Sequence, residues 1–317
     1  MKTFHSWTPI SLLGKLIPHG KRFHIWNYNG DNMTTTRPIH PEVQCFDEAL
    51  GQTPPAGGRL AGRRILVVGA GQRVIDDPDP PVGNGRAISL LFAREGATLT
   101  CVDISEPAVA ETCRQAKDLG ATVFAEVADV ERAETIAPLV ERAARQMGGL
   151  DGLVMVVGIS SALPIDKQDA NTWDREYAVN VRSNMLFAQQ AMRHMEPGSS
   201  IVLMSSLAAL RNSSGNPAYE SSKAAQVALA RSIAMAGQKQ GIRCNSLLPG
   251  LMDTPMGRAA TARRPARVGG ALPFGRQGTG WEVAYACLFL MSHESSYVNA
   301  HALQVDGGLA AGVALTA

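Results

Sequence analysis

The chain has 317 residues, of which 45% are hydrophobic and 18% are charged, so it can build a sizeable core and global disorder is excluded. Its 30 lysines and arginines nearly balance its 28 aspartates and glutamates, which argues against nucleic-acid partners and against electrostatic attachment to a membrane surface. No apolar run approaches the roughly 18 residues of a membrane span, so we expect no membrane partner.

The N-terminal residues 1–58 differ from the rest of the chain, because they are aromatic and proline-rich and show no hydrophobic period. We interpret them as an irregular extension that precedes a single domain over residues 59–317. Met33 is a second possible start, so residues 1–32 either belong to the natural protein or lie upstream of it. Prolines and glycines interrupt the first apolar stretch, which argues against a secretory signal peptide.

The five cysteines are scattered and form no C-x-x-C pair. This pattern indicates reduced, buried thiols in a cytoplasmic protein rather than a disulfide framework or a metal site. The residues concerned are Cys45, Cys101, Cys113, Cys244 and Cys287.

Short apolar or β-branched runs alternate with helix-length segments from residue 64 onward. Predicted strands lie at 64–68, 98–102, 122–126, 152–157, 200–205, 243–248 and 302–305. Predicted helices lie near 85–95, 106–119, 132–147, 171–194, 218–239 and 281–292. The alternation and the continuous apolar strands predict an α/β fold, a doubly wound parallel sheet of seven strands with helices on both faces.

Glycines follow the first predicted strand. Gly69-Ala70-Gly71 ends that strand, and Gly83-Asn84-Gly85 opens the next predicted helix. Glycines in such a turn let the backbone approach a pyrophosphate, whose charge then lies at the positive end of the helix. An ordinary flexible turn is the alternative for this pattern taken alone, but its place between strand and helix favours a dinucleotide site.

An acidic residue, Asp103, follows the second predicted strand. A carboxylate at this position can accept hydrogen bonds from both hydroxyls of an adenine ribose. It also repels a 2′-phosphate by several kcal/mol, roughly, if the charges lie about 5 Å apart at an effective dielectric of about 20. The residue therefore favours NAD over NADP, although Arg73 and Arg86 are nearby cations that can offset the repulsion.

Tyr219 and Lys223 open a long predicted helix. Residues four apart share one helix face, so the phenol and the ammonium point the same way. A free tyrosine is a weak base at neutral pH because its pKa is near 10. An ammonium about 4 Å away at an effective dielectric near 20 stabilises the phenolate by about 4 kcal/mol. This is roughly the free energy needed to lower the pKa of the phenol to about 7.

Two further polar residues favour catalysis over an exposed helical pair. Ser206 ends the fifth predicted strand, where its hydroxyl can bind a substrate oxygen. Asn180 lies inside the preceding helical segment, where an asparagine can distort the helix and hold a water for proton relay.

Together these motifs resemble the short-chain dehydrogenase/reductase family over about residues 60–310. The other matching motifs are Asp129-Val130 after the third strand, Asn180-Val181, Pro249-Gly250 with Thr254, and Val305-Asp306-Gly307-Gly308.

The resemblance implies a Rossmann-like fold and commonly a tetramer, so we expect a homotetramer or homodimer. It also implies that Tyr219 is the acid/base, Ser206 orients the substrate, Lys223 holds the ribose and Asn180 serves the relay. Asp129 and Val130 are implied to contact adenine. Pro249, Gly250 and Thr254 are implied to hold the nicotinamide carboxamide.

The chain departs from the family pattern in two places. Thirteen residues separate Gly69 from Gly83, about ten more than the family spacing, and the acidic, proline-stiffened insert 74–82 would repel a pyrophosphate. We expect it to loop outward while Gly69, Gly83 and Gly85 keep their roles. The family's Asn-Asn-Ala-Gly is here Met155-Val156-Val157-Gly158, which leaves only Gly158 beside the cofactor.

The loop over 250–279 should line the substrate pocket, and it contains Arg258, Arg263, Arg264 and Arg267. One interpretation is capture of an anionic group, such as a carboxylate or a carrier-linked acyl chain. The alternative is a solvated mobile lid.

We predict an NAD- or NADP-dependent oxidoreductase that passes a hydride between nicotinamide and a small secondary alcohol or ketone. A 3-oxoacyl-thioester reductase is the alternative among enzymes. A catalytically idle dinucleotide-binding scaffold or sensor is the alternative from another class, and the intact Tyr, Lys, Ser and Asn set argues against it.

Overall fold

A parallel sheet of seven strands organises the chain, whose computed structural model describes residues 58–212, 215–268 and 272–313. The predicted N-terminal extension lies outside the described residues, apart from Gly58. The predicted fold class is confirmed.

The strands of the main sheet are β1 (Arg64–Val68), β2 (Thr98–Asp103), β3 (Val123–Val127), β4 (Leu150–Met155), β5 (Met195–Met204), β6 (Arg243–Pro249) and β9 (Ala302–Val305). Two short strands, β7 (Met252–Asp253) and β8 (Gly278–Thr279), pair with each other apart from the main sheet. The main sheet runs in the order β3-β2-β1-β4-β5-β6-β9, and every pairing is parallel.

The helices are α1 (Asn84–Arg94), α2 (Glu106–Asp118), α3 (Ile136–Met147), α4 (Ala170–Tyr177), α5 (Ser183–Ala191), α6 (Pro217–Gly237), α7 (Pro255–Arg263) and α8 (Gly280–Met291). They cover both faces of the sheet because strand side chains alternate between the faces. Ile65 and Val67 pack into a core with α1, α2 and α8, whereas Leu66 and Val68 pack into a second core with α3, α5 and α6.

The predicted helix over 171–194 is divided in the structure. A π-helical turn over Ala178–Arg182 separates α4 from α5, and the helix ends at Ala191. The turn carries Asn180, which agrees with the expectation that an asparagine here distorts the helix.

Helix α7 lies in the segment that the sequence analysis treated as a loop. Thr254 caps it by accepting a hydrogen bond from Gly257 N at 3.1 Å, and Pro255 occupies its first turn. A threonine followed by proline is a recognisable helix start. The sequence therefore held the signal for α7.

The sheet order reverses between β1 and β4, since β1 connects outward to β2 and β3 while the chain returns to β4 on the other side. Ligands of doubly wound sheets bind at the carboxyl ends of the strands beside such a reversal. The candidate site lies there.

Candidate active site

The glycine turn after β1 is built by close backbone packing. Gly69 has φ of 86°, and a Cβ on it would lie 2.6 Å from Val157 N. A Cβ on Gly85 would overlap the carbonyl oxygen of Gly69. The first and third glycines of the predicted motif therefore touch each other, and neither position accepts a larger residue without movement.

The N-terminus of α1 has the features that a pyrophosphate requires. Its N-cap is Gly83, which provides no side-chain hydrogen bond to the first turn, and uncapped backbone N–H groups at a helix start favour an anion. Among the described residues, no partner bonds the buried Oδ1 of Asn84. Gln72 Oε1 accepts a hydrogen bond from Gly83 N at 3.0 Å and closes the turn. These residues fit a dinucleotide.

Asp103 reaches back to the glycine turn. Its Oδ2 accepts a hydrogen bond from Gly71 N at 2.8 Å, and its Oδ1 accepts one from Ser105 N at 3.1 Å. A Cβ on Gly71 would lie 2.7 Å from the Asp103 carboxyl carbon, so glycine is needed for this approach. Each carboxylate oxygen retains a further lone pair for a ribose hydroxyl.

Neither cation considered beside Asp103 is bonded to it. Arg86 donates from Nε to Thr112 Oγ1 at 3.0 Å, and burial lowers the pKa of its guanidinium. Arg73 lines a cavity beside α7 instead. Among the residues that the structure describes, no ion pair neutralises the Asp103 carboxylate.

The insert 74–82 is exposed, yet it is anchored to α7. The Val74 side chain is 92% exposed. Arg258 on α7 forms an ion pair with Asp77 and donates to Asp79 O at 3.0 Å. Its remaining donors bind the Asp253 carboxylate at 2.8 and 2.9 Å. One of the three carboxylates of the insert, that of Asp77, is thus bound by Arg258.

Tyr219 and Lys223 share one face of α6 as predicted. Lys223 Nζ lies 5.5 Å from the centre of the Tyr219 ring and donates to Met204 O at 2.9 Å. Lys223 is buried, and this burial lowers its pKa to about 7, while the charge of Glu176 acts in the opposite direction. The ammonium assumed from the sequence is therefore only partly formed near neutral pH in the cofactor-free protein.

Glu176 is a site residue that the sequence analysis missed. It is 1% exposed, its Oε1 accepts a hydrogen bond from Ser161 N at 2.6 Å, and its Oε2 has no partner among the described residues. It lies four residues before Asn180, on the same helical face. An acid one turn before the predicted catalytic asparagine was the signal available in the sequence.

Asn180 and Ser206 lie where the sequence placed them. Asn180 exchanges two 2.9 Å hydrogen bonds with the backbone of Ile159 and donates to Ser222 Oγ at 3.0 Å. Asn180 therefore connects the segment that follows β4 to helix α6 by hydrogen bonds. Ser206 follows β5, is half-buried, and accepts a hydrogen bond from Ala208 N at 3.1 Å.

The remaining predicted cofactor residues lie beside the same strand ends. Asp129 and Val130 follow β3, and Asp129 Oδ1 accepts a hydrogen bond from Glu131 N at 3.0 Å. A Cβ on Gly158 would lie 3.1 Å from Lys223 Nζ.

Pro249 ends β6, and a Cβ on Gly250 would lie 2.7 Å from the Asp306 side chain, which belongs to the predicted C-terminal motif. Thr254 is used as the cap of α7. The sheet thus brings every predicted site residue to its carboxyl edge or to the segments that follow it.

No cluster of three or more histidine, cysteine or acidic side chains suited to a metal occurs among the described residues. No helix in the same part of the chain is long and apolar enough to cross a membrane. Of the cysteines, Cys101, Cys113, Cys244 and Cys287 are free and buried, as predicted, while Cys45 lies outside the described residues.

Known proteins resemble about four fifths of the chain. A family profile described as enoyl-(acyl carrier protein) reductase matches residues 82–310. A 3-oxoacyl-[acyl-carrier-protein] reductase of Thermotoga maritima is 31% identical, covering 79% of this chain and 99% of that protein. A cis-4-hydroxycyclohexanecarboxylate dehydrogenase of Sinomonas cyclohexanicum is 33% identical, covering 80% and 99%.

Solved structures agree with these sequence matches. The crystal structure of a short-chain dehydrogenase from Burkholderia cenocepacia in complex with NADP aligns with a TM-score of 0.73 at 29% identity, covering 79% of this chain and 98% of that one.

Proposed function

The chain belongs to the short-chain dehydrogenase/reductase family and is an NAD(P)-dependent oxidoreductase acting on CH–OH groups, and we propose that Tyr219 is its acid/base. The observation that carries this proposal is the pairing on α6, where the buried Lys223 Nζ lies 5.5 Å from the Tyr219 ring. A lysine buried beside a phenol at the carboxyl edge of the sheet is placed to favour the phenolate when it is charged.

The proposed mechanism divides the reaction between the cofactor and four side chains. A bound nicotinamide dinucleotide supplies or accepts the hydride. In the reductive direction the Tyr219 phenol donates a proton to the carbonyl oxygen, and the Ser206 hydroxyl donates a hydrogen bond to the same oxygen. A charged Lys223 favours the phenolate that remains. Asn180 holds the backbone of Ile159 in place beside them.

Residues of the glycine turn are proposed to hold the dinucleotide. Gly69, Gly71, Gly83, Asn84 and Gly85 would carry the pyrophosphate, and Asp103 the adenine ribose. The first turn of α1, whose N-cap Gly83 provides no side-chain hydrogen bond, supports this assignment.

The remaining cofactor assignments follow the strand ends. Asp129 and Val130 would contact adenine, and Gly158 would lie beside the nicotinamide. Pro249, Gly250 and Thr254 would hold the carboxamide. The closeness of Gly158 to Lys223 supports its place near the reacting ring.

We propose NAD as the preferred cofactor, with NADP as the alternative. No described cation is bonded to Asp103, so its charge remains available to repel a 2′-phosphate. The Burkholderia cenocepacia relative was solved in complex with NADP, which supports NADP as the alternative cofactor.

The experiment that tests the function is a screen of the purified protein against secondary alcohols and ketones with both cofactors. Oxidation of NADH or NADPH that depends on a carbonyl is expected, and Tyr219→Phe should remove it. Binding of NADH without oxidation across the panel would instead fit an idle dinucleotide-binding protein.

A 3-oxoacyl-thioester reductase is the second candidate. The match to the Thermotoga maritima reductase and a cavity of about 760 Å³ beside α7 favour it. Preference for NADPH together with turnover of acyl thioesters would select this activity over reduction of simple ketones.

Three broader assignments are also proposals. The domain is taken to span residues 59–317, the location to be cytoplasmic, and the assembly to be a homotetramer or homodimer. The family match over residues 82–310 supports the first, and the free buried thiols support the second. The third rests on membership of the family, and sedimentation of the purified protein tests it.

A further inference from the structure

A cavity of about 760 Å³ opens beside the proposed catalytic residues. Ile159 and Ser160 form part of its wall and directly follow Gly158, which lies close to Lys223. Ser160 Oγ accepts a hydrogen bond at 2.6 Å from Nδ2 of Asn216, the residue before α6. Hydrogen bonds therefore connect the cavity wall to Asn180 and to the start of α6, the helix that carries Tyr219.

One face of α7 forms the opposite wall. Met256, Ala259, Ala260 and Arg263 all line the cavity and follow the spacing of a single helix face. Met256 and the two alanines make the first part of this face apolar, and Arg263 places a positive charge at its end. Seven residues of helix rise by about 10 Å, so the cation lies that far along the wall from Met256.

Three guanidinium groups at this cavity have no partner within the described part of the chain. Arg73 lies immediately before the insert, Arg263 ends α7, and Arg264 follows it as the C-cap residue. All three are exposed, and no described carboxylate or carbonyl accepts a hydrogen bond from any of them.

Other arginines nearby are already used. The Arg258 guanidinium binds the Asp253 carboxylate and the insert, and Arg175 forms an ion pair with Glu131. Among the described lining residues Glu176 alone carries a carboxylate, and Ser161 N already binds one of its oxygens. The cavity therefore presents an excess of unpaired positive charge to whatever enters it.

We propose that the substrate carries an anionic oxygen group, a carboxylate in the simplest case, separated from the reacting carbonyl by a short apolar segment. Arg73, Arg263 and Arg264 would bind the anion at the mouth, and the alanine face of α7 would contact the apolar segment. This inference rests on the proposed oxidoreductase function, because it takes the carbonyl to lie at Tyr219.

A homologous series of methyl-ketone acids and their methyl esters tests the proposal. Each pair has the same reacting carbonyl and differs in the charge of the far end. The wild-type protein should have a higher kcat/KM for the acid than for the ester. The acid-to-ester ratio should fall about tenfold in Arg263→Gln/Arg264→Gln, as expected for loss of charge-assisted contacts. The double variant should lose its preference for the acid through a higher KM for the acid. Added salt should lower the acid-to-ester ratio of the wild-type protein in the same direction.

The matched control is Arg231→Gln. Arg231 is an exposed arginine on α6 that does not line the cavity, so its loss removes one positive charge, against two in the double variant, without changing the mouth. The acid-to-ester ratio should stay at the wild-type value. A ratio that is equal in wild type, double variant and control would overturn the proposal.

Binding measurements separate this inference from the function on which it rests. Calorimetry of the NADH-loaded protein with an acid and its ester requires no turnover. If no carbonyl is reduced, the proposed function fails. Tighter binding of the acid, lost in the double variant, would still uphold the anion site. Equal binding of acid and ester would contradict the anion site even if both are reduced.

Discussion

Gly85 and Gly69 pack so closely that a Cβ on Gly85 would overlap the carbonyl oxygen of Gly69. The contact joins the start of α1 to the end of β1 and fixes the turn on which a pyrophosphate would lie. Between these two glycines the chain is about ten residues longer than the family spacing. The first and last glycines of the motif therefore stay in contact despite the insert.

Gly85→Ala should therefore lower the free energy of unfolding by about 1–3 kcal/mol, as overpacking in a dense interior does. Gly83→Ala is the matched control. Its Cβ would meet its nearest neighbour, Pro255 Cδ, at 3.8 Å, and its φ of −73° suits alanine. Urea unfolding of both variants measures the difference. Equal stabilities would show that the Gly85 contact relaxes without cost.

The pH dependence of stability should report the buried lysine. Burial lowers the pKa of Lys223 from 10.5 to about 7. Between these two values the unfolded chain binds more protons than the folded chain, so this residue makes the free energy of unfolding rise with pH, by up to about 1.4 kcal/mol per pH unit. Below a pH of about 7 both states are protonated and the contribution is constant.

Lys223→Met removes that titration. The stability of the cofactor-free wild type relative to Lys223→Met should therefore increase through the window and stay level below it. Urea unfolding at several pH values measures both proteins. Parallel curves over the whole range would mean that the buried lysine keeps its ordinary pKa.

Asp103→Ala should narrow the preference for NAD over NADP by about tenfold or more, because roughly 1.4 kcal/mol of repulsion corresponds to that factor. The measurement is kcat/KM with each cofactor. Asp103→Asn separates charge from hydrogen bonding, since its amide oxygen can still accept from Gly71 N. An unchanged cofactor ratio in both variants would remove Asp103 from the ribose site.

Arg258→Gln should release the insert from α7. The guanidinium joins Asp77 to Asp253, and glutamine cannot reach both. Hydrogen exchange of the amides over 76–79 should become faster, while the thermal midpoint changes little because ion pairs that remain partly exposed to solvent add little stability. Exchange that matches the wild type would show that other contacts hold the insert.

The hydrophobic pattern predicted most strands because buried parallel strands are continuous apolar runs. β1 and β9 begin and end at the predicted residues. β5 begins at Met195, five residues before the predicted start. The prediction missed these residues because Pro197 and Gly198 are not typical of a strand. A register shift in the pairing of β4 with β5 lets this segment join the sheet, and no sequence pattern announces such a shift.

The proposed catalytic set could be located from the sequence because Tyr219 and Lys223 have a fixed local spacing, four positions apart on α6. The contacts that modify it could not. Arg258 meets Asp77 across 181 positions of sequence, and Glu176 acts on Lys223 from another helix. Such pairs depend on tertiary packing, which a single sequence does not record.

The central claim is that the Tyr219 phenol transfers the proton during hydride transfer. It is tested most directly by kcat of Tyr219→Phe for any carbonyl that the wild-type protein reduces, together with the dissociation constant for NADH. We expect kcat to fall by about 10²–10⁴, as for loss of a general acid, and NADH binding to stay within about twofold of wild type. A variant that retains wild-type kcat would contradict the account.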